Sequence, residues 1–423
     1  MELFGGVIPI TGITFFMFSI FAIIVVGFAL GRITIKGISL GDAGVFIMAL
    51  VFGCLFYSQL DAQLTVKTVL GSVSYTTQAL KIIENLGLIL FVTSVGFIAG
   101  PKFFGNFKKN FKSYVVLALV VILAGGLSAV GCIYFGRTVM GETNHEEFTA
   151  MIVGLLSGSL TSTPAFSAAK ATVDSIYESA VSVGHGISYI FGVIGVVLFV
   201  QLVPKMVKAD MDVERAKLAE SGATTQAKEV TKKEKALKII SIDGHGFAAF
   251  ALAAIVGTFV GMIKIPLTSA GLSGTCFSLT TTGGCLLTSL VFGHFNHIGP
   301  VSVMPKESTL KIFKELGLIL FLVGAGIAGG AKFIELFQVS YFIYGMVMTV
   351  VPMIIGFIFA KYVLKLSLLN NLGSLTGAMT STPALGTLTN VAKTDDVAAA
   401  YAATYPIALI AVVLVSQFLV ILF

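Results

Sequence analysis

The sequence predicts an all-α polytopic membrane protein built from two inverted repeats, each of about five transmembrane helices plus one re-entrant hairpin. Three observations carry this. The 423-residue chain is 56% hydrophobic and 11% charged, where a soluble globular chain runs at about 45–50% apolar and about 25% charged. Its apolar residues gather in runs of membrane-crossing length, a span needing about 20 residues. Its second half repeats its first. A mean hydropathy of +0.97 excludes a soluble enzyme, a disordered tail and a nucleic-acid reader. The formal charge of +6 is no nucleic-acid footprint, because the basic residues sit in short loops between apolar runs.

The apolar elements follow in order. In the first half they cover about 10–31, 41–58, 80–100, 113–136, 148–171 and 178–203, and in the second about 246–262, 280–298, 309–330, 337–361, 369–390 and 396–422. The chain begins Met-Glu without a basic n-region, so Val7–Leu30 reads as a retained span and not as a cleaved signal. Between the halves, Pro204–Asp243 holds nine Lys/Arg and seven Asp/Glu and no apolar run. It reads as a linker, helical around Val213–Leu218 and Lys232–Ile239, and too short for a regulatory domain of ordinary size. The expected organisation is a first membrane repeat 1–203, a cytoplasmic linker 204–245 and a second repeat 246–423. Cys54, Cys132, Cys276 and Cys285 lie within or beside apolar stretches without a CxxC pair, and read as small buried residues.

The duplication is visible residue by residue. Leu80-Lys81-Ile82 and Leu86–Phe91 recur as Leu310-Lys311-Ile312 and Leu316–Phe321. Thr161-Ser162-Thr163-Pro164-Ala165 recurs as Thr380-Ser381-Thr382-Pro383-Ala384, with Gly154 and Gly158 upstream matched by Gly373 and Gly377. His185 aligns with Tyr401, Tyr189 with Tyr405 and Gln201 with Gln417. An internal repeat in an apolar chain is the sequence signature of a secondary transporter.

Charge orients the copies. Cytoplasmic loops carry an excess of Lys/Arg. Arg32 and Lys36 follow the first span, and Lys102, Lys108, Lys109 and Lys112 follow the third, which puts the N-terminus outside. If the element with Thr161–Ala165 crossed fully, the basic linker would fall outside. If it folds back, the linker falls inside and the second half runs opposite to the first, with Lys264 and Lys332 as exceptions.

The fold-back has a chemical basis. Proline lacks an N–H and suits the first turn of a helix, and Ser or Thr suits the cap before it. Thr163-Pro164 and Thr382-Pro383 therefore read as new helix starts in mid-membrane. The Gly-x-x-x-Gly stretches before them permit close packing. Broken backbone at that depth is tolerated only inside protein or beside a wet cavity. Two facing helix starts with Ser/Thr hydroxyls suit a carboxylate. Arg32, Arg137 and Arg215 are the chain's three arginines, and none is mid-span.

These motifs, with Tyr401-x-x-x-Tyr405-Pro406 downstream, resemble the aspartate:alanine exchanger family over both membrane halves. The resemblance implies a bacterial inner-membrane, multi-pass carrier of small carboxylates or amino acids (aspartate, alanine or succinate-like), often working by exchange and usually a homodimer, with no cofactor. Many members carry two regulatory domains in the central loop, for which this linker is too short. The first-half counterpart of the tyrosine motif, His185-x-x-x-Tyr189-Ile190, lacks the proline. The candidate substrate-binding residues are Gly158, Thr161, Ser162, Thr163, Pro164, His185 and Tyr189 in the first half, and Gly377, Thr380, Ser381, Thr382, Pro383, Tyr401 and Tyr405 in the second.

Other polar residues take lesser roles. His185, costly in an apolar span if charged, is a candidate for proton coupling or a neutral hydrogen-bonded histidine. Gln201 and Gln417 read as interhelical hydrogen bonders. Glu84 and Glu315 read as residues with interface or salt-bridge roles beside Lys81 and Lys311. His294 and His297 have helical i,i+3 spacing but no carboxylate beside them. Gly154–Ser159 faintly resembles an intramembrane serine-protease motif with His185 as partner, which Gly373–Thr376 does not preserve. The function classes are then a carrier working by alternating access, with exchange and Na+- or H+-coupled symport or export both open, and, more remotely, a channel, for which no continuous polar stripe is found. The hairpins with Ser179–Gln201 and Val397–Gln417 would move as one body. Spans one, two, seven and eight would form the scaffold and the dimer contact.

Overall fold

The computed structural model describes residues 2–3, 8–35, 38–39, 41, 43–68, 71–105, 111–226, 242–266, 271–273, 276–298, 300–394 and 396–423. Among these the chain is helical nearly throughout. The first half supplies α1 (Gly12–Gly31), α2 (Ala43–Leu64), α3 (Thr76–Gly105), α4 (Phe111–Phe135), α5 (His145–Ser159), α6 (Thr163–Thr172) and α7 (Glu178–Met206). A linker helix α8 (Met211–Gln226) follows. The second half supplies α9 (Phe247–Gly261), α10 (Thr280–Phe295), α11 (Glu307–Gly330), a short α12 (Phe333–Leu336), α13 (Ser340–Tyr362), α14 (Leu368–Ala378), α15 (Thr382–Ala392) and α16 (Val397–Leu422). Strands among the described residues are confined to two-stranded antiparallel turns at helix ends, such as Thr65–Thr68 with Gly71–Ser74.

Among the described residues eight helices are long and apolar enough to cross a membrane: α1, α2, α3, α4, α7, α11, α13 and α16. The sequence reading expected ten crossings. The difference lies in α9 and α10, which have 15 and 16 residues against the roughly 20 a span needs. Their sequence counterparts α1 and α2 have 20 and 22.

The packing comes in matched pairs. α1 lies on α2 and α9 on α10; α2 lies on α11 and α10 on α3; α5 lies on α7 and α14 on α16; α6 lies on α16 and α15 on α7. At the centre α3 crosses α11, with Gly87 against Gly317 and Leu80 and Glu84 against Gly324, so these two equivalent helices run antiparallel. A Cβ on either Gly87 or Gly317 would overlap the other's backbone. Lipid tails are as apolar as leucine, so such helices associate through close contact and not through the hydrophobic effect. The main core draws on both halves, with Phe46, Phe166 and Phe321 wholly buried in it. α1 and α9 instead present Ile13, Phe18 and Phe21, and Ile255 and Phe259, to the surroundings.

The described part of the linker is not loose. The Glu214 carboxylate on α8 accepts from Leu368 N at 2.9 Å, at the start of α14. Arg215 donates to Ala392 O at 3.0 Å, at the end of α15. Each charge suits the dipole of the helix end it meets. Leu218 is buried between them against Leu369, Leu372 and Leu388. The expected helix around Val213–Leu218 is thus present, and the one around Lys232–Ile239 lies outside the described residues.

At the start of α9 the Asp243 carboxylate accepts from the N–H groups of His245, Gly246, Phe247 and Ala248. The Ala248 N–H pulls its carboxyl down most strongly, burial opposes it, and the others add to it, leaving it at about 2 against an ordinary 3.8. Because the folded value lies below the unfolded one, the stabilisation is full above about pH 4 and fades as pH falls towards 2. Asp243→Asn is expected to lower the thermal midpoint at neutral pH by a few degrees. Midpoints of variant and parent, followed in detergent against pH, are expected to converge in that acid window.

Candidate functional site

The candidate site is built where two helices stop in the interior. α5 ends at Ser159 and α6 starts at Thr163; α14 ends at Ala378 and α15 starts at Thr382. The local geometry is the same in both. Thr161 and Thr380 each adopt a left-handed backbone, both with φ of 51°. Their N–H groups bond back to Gly158 O at 2.9 Å and Gly377 O at 3.1 Å. The next N–H groups reach further back, from Ser162 to Ser157 O at 2.8 Å and from Ser381 to Thr376 O at 3.0 Å. This is the glycine-type helix stop, in which the left-handed residue is usually Gly or Asn. A β-branched threonine there is a conformational outlier, costing roughly 1–3 kcal/mol.

The hydroxyl explains the threonine. Thr161 Oγ1 donates across to Met379 O at 3.0 Å, and Thr380 Oγ1 donates across to Leu160 O at 2.8 Å. Each break thus satisfies the terminal carbonyl of the other. Both bonds lie in the buried interior, where an unpaired carbonyl is expensive.

The helix starts differ in one respect. Ser162 caps α6, its Oγ accepting from Ala165 N at 3.3 Å, with Pro164 in the first turn. Ser381 holds the same place before α15, but its side chain makes no cap bond. Its Oγ is wholly buried with no partner among the described residues. The side chains of Thr382 and Pro383 lie outside the described residues.

The spans behind the breaks are held by matched contacts. α5 and α7 run in the same direction, with Gly154 against Val181, Gly158 against His185 and Ser188, and Thr161 against Gly192. α14 and α16 do likewise, with Gly373 against Val397 and Gly377 against Tyr401 and Thr404. A Cβ at Gly158 or Gly377 would collide with the neighbouring span, which is the close packing expected of the Gly-x-x-x-Gly stretches. Ser188 Oγ donates to Leu155 O at 2.6 Å, and its counterpart Thr404 Oγ1 donates to Ser374 O at 2.9 Å. His185 and Tyr189 lie with rings 5.2 Å apart, and Tyr401 and Tyr405 with rings 5.1 Å apart. The structure therefore brings the first-half candidates to one break and the second-half candidates to the other, with the two breaks in contact.

His185 is wholly buried. Its ring stacks on Phe166 at 4.1 Å and meets Phe46 edge-on at 5.4 Å. Nδ1 lies 2.9 Å from Ser157 Oγ, which also lies 2.7 Å from Gly154 O. If the serine hydroxyl donates to the carbonyl, Nδ1 carries the ring proton and Nε2 is a bare acceptor. Nε2 has no partner among the described residues. The Ser157–His185 contact looks like a protease dyad, but the second copy argues otherwise. Thr376 makes the same bond to Gly373 O, at 2.8 Å, on a helix packed against Tyr401.

Several sequence expectations are corrected. Lys81 pairs with Glu178 at 3.0 Å, not with Glu84, and Glu84 pairs with Lys170 at 2.6 Å. Lys311 pairs with Glu307 at 2.7 Å, not with Glu315. Lys81 finds a carboxylate on another helix, and Lys311 takes the one a turn before it in place of the one a turn after. His297 lies beyond the end of α10, so it shares no helical face with His294, and no metal-binding cluster occurs among the described residues. Gln417 does bond between elements, its Nε2 donating to Ser278 O at 3.0 Å. Lys170 was missed because its sequence surroundings mark it only as the end of an apolar run.

The membrane-capable helices among the described residues pack around paired internal breaks, the layout of a multi-pass membrane protein. The family model described as "Predicted Permease Membrane Region" matches residues 19–205 and 249–421. The chain belongs to this family, the aspartate–alanine exchanger permeases. It is 26% identical to an uncharacterized transporter of Bacteroides fragilis (strain YCH46) and 25% identical to one of Bacteroides thetaiotaomicron, each comparison covering 95% of this chain and 97% of the relative. An uncharacterized transporter of Desulfotalea psychrophila is 22% identical over 96% of both chains.

Thr161→Val and Thr380→Val each remove one cross-break bond and leave a buried carbonyl unpaired. Each is expected to lose about 1–3 kcal/mol of stability, by similar amounts. The double variant is expected to lose less than the sum, because the two bonds bridge the same pair of breaks. Denaturant unfolding in detergent checks this.

Proposed function

We propose that the chain is a secondary active transporter that exchanges small carboxylates and amino acids, in the manner of aspartate–alanine exchange, by alternating access. Substrate sits between the two Thr-Ser-Thr-Pro tips. The observation that carries this is the reciprocal contact of the two breaks, which puts two helix starts, each with a serine before its proline, in one buried place. The positive dipole end of a helix start favours an anion, and a dicarboxylate or an α-amino acid offers one or two.

In this reading each broken element is a re-entrant hairpin. Support comes from direction. α5 runs parallel to α7 with Thr161 level with Gly192, yet α6 must connect that level to the start of α7 at Glu178. α14 and α16 stand in the same relation. The inverted relation of the repeats is supported by the antiparallel crossing of the equivalent helices α3 and α11. The chain would then lie in a bacterial inner membrane as a homodimer, with a first repeat over 1–203, a cytoplasmic linker over 204–245 and a second repeat over 246–423. The hairpins with α7 and α16 would shift against a scaffold that includes α1, α2, α9 and α10. If the ring proton sits on Nδ1, the Nε2 of His185, without a partner among the described residues, is the atom that proton coupling would use.

Counterflow in proteoliposomes tests the reading. Vesicles are loaded with aspartate, alanine, succinate or nothing, and labelled aspartate is added outside with and without a sodium or pH gradient. Exchange predicts uptake only into loaded vesicles, indifferent to sodium. Uptake into empty vesicles driven by either gradient would replace exchange with symport. Ser162→Ala and Ser381→Ala are expected to cut transport by about ten- to a hundredfold, the worth of one hydrogen bond to a charged group, in protein that still purifies folded. Normal transport by both would move the site away from the tips.

A further inference from the structure

A run of charged side chains of alternating sign enters the protein beside α6. Lys81, on α3, is 44% exposed and lies 3.0 Å from Glu178 on α7, which is 22% exposed. Glu178 lies 3.9 Å from Lys170 on α6, which is 5% exposed. Lys170 lies 2.6 Å from Glu84 on α3, which is 10% exposed. Going inward, the Lys170 ammonium lies 5.9 Å from the ring centre of Phe166, which stacks on His185. From Lys170 to Ser162 along α6 is eight residues, about 12 Å of helix. The run thus leads from solvent to the approach of the tips.

The second repeat serves as an internal control. Its helices pack in the same pairs, yet at the corresponding positions it carries Thr389 for Lys170, Lys314 for Glu84 and Thr394 for Glu178. Lys311, the counterpart of Lys81, pairs within its own helix with Glu307. The fold therefore does not require the cluster. A buried ion pair is also weak evidence for stability, since replacing both partners by apolar groups is often neutral or better. Buried charges within spans mark substrate and ion paths.

We propose that Lys81 and Lys170 form a two-step entry path for the carboxylate of the cargo, held closed by Glu178 and Glu84, and that Lys170 selects anionic over zwitterionic cargo. The inference rests on the transporter reading above. The arriving carboxylate takes the place of Glu84 on Lys170. The freed Glu84 is three residues from Lys81 on α3, the spacing at which a helix pairs opposite charges. Glu178, the more exposed carboxylate of the two, turns to water. No charge is left buried and alone.

The test compares wild type with Lys170→Gln, Glu84→Gln, Lys81→Gln and the double variant Glu84→Gln/Lys170→Gln. Lys170→Gln alone strands the Glu84 carboxylate, so the double variant is the folding control. Binding of succinate, aspartate and alanine to purified protein is measured by thermal shift at two ionic strengths, alongside counterflow. The path predicts that Lys170→Gln and the double variant weaken succinate relative to alanine by at least about tenfold. It predicts that Glu84→Gln tightens succinate, and that Lys81→Gln slows uptake and flattens its salt dependence. An unchanged succinate-to-alanine ratio in both Lys170 variants would overturn the proposal while leaving the transporter reading intact. Wild type that binds and exchanges no carboxylate would overturn the cargo reading and the path together.

Discussion

The arrangement depends on one constraint: a helix that stops inside a buried, apolar interior must find partners for its last carbonyls and its next amides. Here each stop supplies what the other lacks. Thr161 and Thr380 donate across to Met379 and Leu160, and the strained threonine backbone is the condition for having a hydroxyl at that point. The glycines beneath the stops follow from the same need. They let α7 and α16 approach closely enough for Ser188 and Thr404 to reach the carbonyls of Leu155 and Ser374.

Duplication makes the molecule its own comparison. What both copies share belongs to the fold: the left-handed threonines, the Gly-x-x-x-Gly contacts and the paired rings on the following spans. What one copy has alone needs another account. His185 in place of a tyrosine, the bonded cap of Ser162 against the bare Ser381 hydroxyl, and the ion pairs of Lys170 all fall in this second group.

Much of this was legible in the sequence. The spans follow apolar runs, and the breaks follow from proline after threonine, because both signals are local. The contact of the two breaks was inferred from the repeat alone, since 218 residues separate Thr161 from Met379. The Lys170 cluster was not legible. Its members come from three helices up to 97 residues apart, and Glu84 beside Lys81 offers an obvious local pairing that the folded chain does not use.

The linker helix α8 gives the matched halves an unmatched attachment. Its Glu214 and Arg215 grip both ends of the second broken element, at Leu368 and Ala392, and among the described residues α8 makes no such grip on the first. The family match pauses between residues 205 and 249, the stretch that contains α8, and the alignment to the Bacteroides fragilis relative runs over 552 positions, more than this chain contains. A segment spliced in after α8 would pull on a lever with a single fulcrum. Load would reach the second broken element directly, and the first through the threonine hydroxyls and the packing of α15 on α7 and α6 on α16.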